Sequence, residues 1–205
     1  MFESESGLGV RVESVGGVDA ARRVRAGETF DVVVLASSVV DALISEGHLV
    51  GERIDVVTSA IGIGVRAGAA RPDIGSAGAV KGAVLAAGRI GYSTGPSGTY
   101  LTKLFEQWGI AEALKDKIVV APPGVPVTSL VARGEIDLGF QQLSELAGDG
   151  VDVVGELPAE IQSLTTFSGA VARTSAQTDA AGRLLEFMAA PRVAGIKRRY
   201  LMNPA

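Results

Sequence analysis

Cysteine is absent from the 205 residues, and histidine occurs once, as His48. Disulfides, zinc–thiolate sites and thiol nucleophiles are thereby excluded, as is any centre built from several histidines. Lys and Arg number 19 against 23 Asp and Glu, for a net charge of −4, which argues against a nucleic-acid-binding face. No apolar run approaches the roughly 18 residues that a membrane-spanning helix needs, so no membrane insertion is expected. Met1 to Gly7 carries neither a basic n-region nor an apolar h-region, so no signal peptide is legible there. Present instead are 47% apolar residues, enough for one large domain or two small ones, and 27 glycines. That glycine share is roughly twice the usual figure of about 7%. Because the glycines follow no triplet period, they point to tight turns and close backbone approaches rather than collagen.

Strand-like β-branched runs occur at residues 10–15, 30–35 and 54–58, with helical stretches at 18–26 and 39–47 between them. A short segment over 81–87 leads into a strand at 89–92. Beyond it the pattern predicts a helix over 98–108, a strand over 118–120, a helix over 127–132 and a strand over 136–140. Helices at 179–189 and 192–200, separated by Pro191, close the chain. Strands alternating with helices imply an α/β fold with largely parallel sheets.

A faint repeat runs through this pattern. Residues 17–28 align with 124–135, sharing Gly17/Gly124, Val18/Val125, Val24/Val131, Gly27/Gly134 and Glu28/Glu135. Both copies precede an apolar strand bearing an aspartate, Asp31 or Asp137. The repeat reads either as the generic likeness of βαβ units or as two similar lobes offering helix starts and strand-end loops to a shared cleft.

Candidate ligand contacts lie on those loops. Gly16 and Gly17 open the first repeat, and Ser37 and Ser38 stand between a strand and a helix, either as N-caps or as donors to an anion. Ser97, Gly98 and Thr99 open another helix within a Gly/Ser/Thr loop. That loop lacks the Gly-Lys-Ser/Thr ending of a phosphate-binding loop and the Gly-x-Ser-x-Gly spacing of a hydrolase elbow. Val125 lies in the rigid Pro122–Pro126 loop, while Gln141 and Gln142 end a strand, where at most one of them faces a given side. His48 reads as a capping or solvated residue, and Glu28 and Glu135 as solvated helix ends. Tyr100 and Phe167 read as core aromatics. These loops offer neutral hydrogen-bonding groups on glycine-rich backbone. They assign no catalytic residue, metal ligand or cofactor.

The element order, together with residues 132–140 (ARGEIDLGF), resembles the molybdate-binding branch of the type II extracytoplasmic solute-binding proteins. Residues 180–188 and Pro191 match that family's closing helix pattern, and the resemblance covers nearly the whole chain. It implies two α/β lobes joined by two crossover strands and closing on a small anion held by neutral donors. It also implies an ABC transporter permease as partner and a periplasmic or otherwise extracytoplasmic location; a chain complete as given would instead be cytoplasmic. Lobe one is expected over 1–70 plus 163–205 and lobe two over 74–158, with crossovers near 67–73 and 159–167. Members begin with a further strand of lobe one, so the resemblance places such a strand before Met1.

Carried over by position, the first-lobe serine turn falls at Gly16-Gly17, and Ser97-Gly98 matches the second-lobe helix start. The family's tyrosine is replaced by Gln141-Gln142, and residues 139–145 (GFQQLSE) resemble a side branch that includes aconitate isomerase. An amide-rich pocket suits a small carboxylate better than a compact tetrahedral oxyanion. The expected function is therefore anion binding for uptake. The alternative is isomerisation of a small polycarboxylate, with Asp19, Glu145 and Tyr100 as candidate bases. A third reading, the effector domain of a cytosolic regulator, lacks a helix-turn-helix.

Overall fold

A computed structural model describes residues 1–122 and 124–205 of the chain. Its strands are β1 (Val32–Ala36), β2 (Leu49–Ser59), β3 (Ile61–Arg66), β4 (Ile90–Tyr92), β5 (Ile118–Val120), β6 (Leu138–Gln142), β7 (Val151–Glu156), β8 (Thr165–Ala172) and β9 (Asn203–Pro204). The helices are α1 (Phe2–Ser6), α2 (Gly17–Arg25), α3 (Ser37–Ser45), α4 (Ala77–Ala86), α5 (Pro96–Gln107), α6 (Ala111–Leu114), α7 (Val127–Ala132), α8 (Leu143–Leu146), α9 (Thr178–Ala189) and α10 (Ala194–Arg199). The chain divides into one unit of Met1–Thr58 with Thr166–Ala205 and a second of Ser59–Thr165.

The first unit holds a sheet of order β1-β8-β2-β9. β1 and β8 run antiparallel from Val32↔Val171 to Ala36↔Phe167, and β9 pairs antiparallel with β2. Its core joins Ala21 and Val24 of α2, Val40 and Leu43 of α3, and Val33, Leu35 and Ala170 of the sheet. Lys197 of α10 is buried against β2, where its Nζ donates to the Val56 carbonyl at 2.7 Å and burial pushes its pKa down.

The second unit holds a sheet of order β5-β4-β6-β3-β7. β4 runs parallel to both neighbours, with Ile90 opposite Ile118 and Leu138, whereas β3 is antiparallel to β6 and β7. Residues 61–65 of β3 are all buried. Around them Phe105, Phe140, Leu101 and Ile90 form the main core. The Gln162 side chain ties the start of β3 in place. Its Oε1 accepts from Ile61 N at 2.8 Å, and its Nε2 donates to the Ile61 and Leu157 carbonyls at 3.1 Å each.

The repeat corresponds to one local structure made twice. After α2, Gly27 N donates to Val24 O and Glu28 N to Arg23 O; after α7, Gly134 N donates to Val131 O and Glu135 N to Leu130 O. Both glycines are left-handed, at φ 80° and 69°, as the paired bonds of a Schellman stop require. Glu28 and Glu135 pair with Arg23 and Arg133, and the guanidinium in each case lowers the carboxyl pKa.

Several expectations are corrected. Residues 10–15 lie outside any strand, with Val12 80% exposed, because no described strand aligns a backbone against them and β-branched alternation alone makes no sheet. The segment at 81–87 belongs to the longer helix α4. The sheets are mixed rather than largely parallel, since β3, β7 and β8 return antiparallel strands that the pattern did not reveal. The first unit boundary lies at Thr58/Ser59, ahead of the expected 67–73, because residues 61–66 pair with β6 and β7; the second lies at Thr165/Thr166.

Glycine also sets how closely helices lie on the sheet. A Cβ on Gly139 of β6 would overlap the Val131 side chain of α7 and come within 3.1 Å of Val127. Gly139→Ala is expected to destabilise the protein by about 1–3 kcal/mol. Gly182→Ala, in α9 with open space around it, should stabilise by about 0.5–1 kcal/mol. Urea unfolding of the two variants beside the parent checks both signs.

Candidate functional site

The parallel register of β5, β4 and β6 brings their carboxyl ends to one edge of the second sheet. The loops leaving that edge carry Ser97, Gly98 and Thr99 after β4, Val125 after β5, and Gln141 with Gln142 at the end of β6. α5 opens with Gly95 as N-cap and Pro96 at its first position. Proline has no N–H, and Thr99 N already bonds to Gly95 O at 3.0 Å, so Ser97 and Gly98 carry the first-turn amides outside the helix ladder. Ser97 is buried, and the Thr99 hydroxyl donates to Gly95 O at 3.2 Å. A Cβ on Gly98 would overlap the Ser93 carbonyl oxygen. This glycine therefore lets the first turn of the helix close onto its own strand end, and its role is set by packing.

Gln142 is buried and donates through Nε2 to Thr165 Oγ1 at 2.9 Å. Gln141 is half-buried and donates to the Glu145 carboxylate. Neither glutamine caps the short helix α8 through its side chain. The Oε1 atoms of both have no hydrogen-bond partner among the described residues, so each amide keeps acceptor capacity. The surrounding protein pushes the Glu145 carboxyl pKa up by desolvation, which the Gln141 amide partly opposes. Val125 is half-buried, its amide bonded to Pro122 O at 3.0 Å; Pro123 of the same loop lies outside the described residues.

In the first unit, Gly16 is the N-cap of α2 and Gly17 its first residue, with Leu35 at the end of β1 as the nearest neighbour of Gly17. Ser37 and Ser38 open α3, but neither is its cap; that position is Ala36. The Ser37 hydroxyl donates to Thr166 O at 2.9 Å and lies 2.6 Å from Ser168 Oγ. Ser38 is exposed. Ser168, fully buried, also bonds to Asp55 at 2.5 Å and to Arg53 Nη1 at 2.9 Å, while Arg53 Nε reaches Asp41 at 3.0 Å. Sequence reading did not find this charged network. Its one signal is Arg53 and Asp55 two apart on a strand, which places them on the same face.

Of the three candidate bases, Asp19 is half-buried and paired with Arg22, and the Tyr100 hydroxyl donates to Ile161 O at 2.9 Å with its ring against the core. Glu145 is the candidate at the carboxyl edge of the second sheet. His48 lies 3.8 Å from Glu46 at a helix end. No helix among the described residues is long and apolar enough to cross a membrane.

The chain belongs to the family described as bacterial extracellular solute-binding protein, which it matches over residues 1–202. Its fold is that of the type II periplasmic binding proteins. The chain is 39% identical over 170 residues to an aconitate isomerase of a Pseudomonas species, covering 82% of this chain and 64% of that protein. It thus spans less than two thirds of that relative's length. Among solved structures it is similar to the periplasmic molybdate-binding protein of Azotobacter vinelandii, with a TM-score of 0.78 and 20% identity over 98% of this chain and 90% of that one. It is similar also to a tungstate ABC transporter structure from Geobacter sulfurreducens, at TM-score 0.75 and 18% identity over 97% and 89%. At these identities the two structures share the fold with this chain.

A raised folded-state pKa at Glu145 means that the native protein holds this proton more tightly than the unfolded chain does. Its contribution to stability is full below the ordinary glutamate pKa and is lost as pH rises through the raised value. Acidification from about pH 7 to about pH 4 should therefore favour the parent relative to Glu145→Gln. Urea midpoints of both proteins at the two pH values check this.

Proposed function

We propose that the protein binds a small carboxylate at the carboxyl edge formed by β5, β4 and β6, as the solute-binding component of an uptake system outside the cytoplasm. Its partner in that reading is an ABC transporter permease. The observation that carries the proposal is the meeting at one sheet edge of the β4–α5 loop, with two helix-start amides outside the helix ladder and the Ser97 hydroxyl, and the end of β6, with two glutamine amides. Free N–H groups at the start of a twelve-residue helix favour negative charge. The glutamine amides add both donors and acceptors, and the acceptors suit a ligand that also carries hydroxyl groups. Gly16, Gly17, Ser37 and Ser38 are the corresponding contacts proposed in the first unit.

Ligand that binds only the native state raises apparent stability. A thermal-shift screen of citrate, isocitrate, cis- and trans-aconitate, molybdate and tungstate should show stabilisation by a carboxylate, and Gln142→Leu should weaken it at least about tenfold. No shift with any of these anions would overturn the proposal.

A second reading is favoured by the 39% identical aconitate isomerase. Moving a double bond along a polycarboxylate requires a base to take a proton from the methylene carbon. The freed C–H pair becomes the new double bond, and the old double bond's electrons take a proton at the far carbon. Glu145, ionised at the start, can accept the first proton and return it. Turnover of cis-aconitate, followed by ultraviolet absorbance, tests this. The isomerase reading expects turnover that falls about 10²- to 10⁴-fold in Glu145→Gln while ligand stabilisation persists. Stabilisation without turnover in the parent leaves a binding protein alone.

A further inference from the structure

At the opposite end of the second sheet lies a groove of about 550 Å³, within the range of small-molecule sites. It sits where β3 ends and where β4 and β6 begin, so it is separate from the edge carrying Gln142. Its wall is apolar and built from small or branched side chains: Val65, Ala83, Ala87, Ile136 and Leu138. Three charged groups line it.

Arg71 is already tied to the backbone of β7 through the Val153 and Val154 carbonyls. Asp137 is occupied too, its Oδ2 accepting from Gly88 N and Arg89 N at 2.9 Å each. Arg66 differs. Its guanidinium lies along Gly134, 3.5 Å from where a Cβ would stand, and it is outside the ion pairs of the described residues. A bare Gly134 leaves room for the guanidinium to lie over the turn.

We infer that this groove is a second binding site, taking a small monocarboxylate whose apolar body lies on the alanine and branched wall and whose carboxylate pairs with Arg66. Two guanidiniums against one carboxylate leave a single positive charge in the lining, which matches one negative charge on the ligand. The second carboxylate of a dicarboxylate would meet the Asp137 side chain or lose its water against the apolar wall. The planar fork of a free guanidinium suits a carboxylate.

The test uses the 205-residue protein labelled with ¹⁵N and titrated with benzoate, and in parallel with succinate. Benzoate should give saturable shifts of the Gly88 and Gly134 amides, and succinate should bind at least about tenfold more weakly. Arg66→Gln should weaken benzoate at least about tenfold with an unchanged melting curve, because Arg66 is exposed. Ala86→Phe, which fills the groove without altering its charge, should abolish the shifts. Absence of saturable shifts, or equal affinity of the parent and Arg66→Gln for benzoate, would overturn the proposal. Neither variant touches the residues proposed for the Gln142 edge, so responses to aconitate or citrate should be unaltered.

Discussion

The arrangement of the second unit depends on one three-residue strand. β4, at Ile90–Tyr92, is parallel to β5 on one side and β6 on the other, and Ile90 sits opposite both Ile118 and Leu138. That register brings three strand ends level. A slip of one residue would turn every side chain to the other face and move the Ser93–Thr99 loop relative to Gln141-Gln142. The register is pinned below the strand by Asp137, which holds the Gly88 and Arg89 amides, and above it by the Ala121 N to Tyr92 O bond. Gly91 and Gly139, opposite each other, are glycine because Ile136 packs against both positions and Val131 and Val127 of α7 pack against Gly139, leaving no room for a Cβ.

The two ends of that sheet differ in chemistry for a physical reason. At the carboxyl end a helix start supplies amides without formal charge, so in the proposed function specificity there comes from geometry and from matching donors to acceptors. At the other end the strands begin, helix starts are absent, and positive charge comes from side chains at the end of β3. An anion held by neutral dipoles stays bound with less dependence on salt than one held by an exposed guanidinium. Membership of a solute-binding family accords with the first arrangement and says nothing about the second.

Much of this was legible in the residues. Periodicity located α2, α5, α7 and α9 to within two or three positions, because each carries an apolar face bounded by glycine or proline. The loops bearing Ser97, Val125, Gln141 and Gln142 were found because strand-to-helix turns advertise themselves by composition. β3 was not, since Ile61-Gly62-Ile63-Gly64-Val65 is buried on both faces and shows no alternation of apolar with polar residues. β8 hid for a related reason: Ser168 and Gly169 interrupt its apolar pattern, and both are explained only by neighbours far along the chain, Arg53 and Asp55 for the serine and Leu185 for the glycine. Residues 10–15 erred in the other direction. Their alternation is strong, but strand formation depends on a partner that local sequence cannot supply.

The division of the chain also bears on how the protein is made. The second unit is one continuous stretch, and all its strands exist once Thr165 has been synthesised. The first unit is split. β1 cannot pair with β8 until residues 167–171 have followed, nor β2 with β9 until residues 203–204 have. During synthesis the continuous second unit is therefore complete before β8 and β9 are available to the strands of the first. The pairing of β1 with β8 is thus a contact between distant parts of the chain, of the kind that forms late.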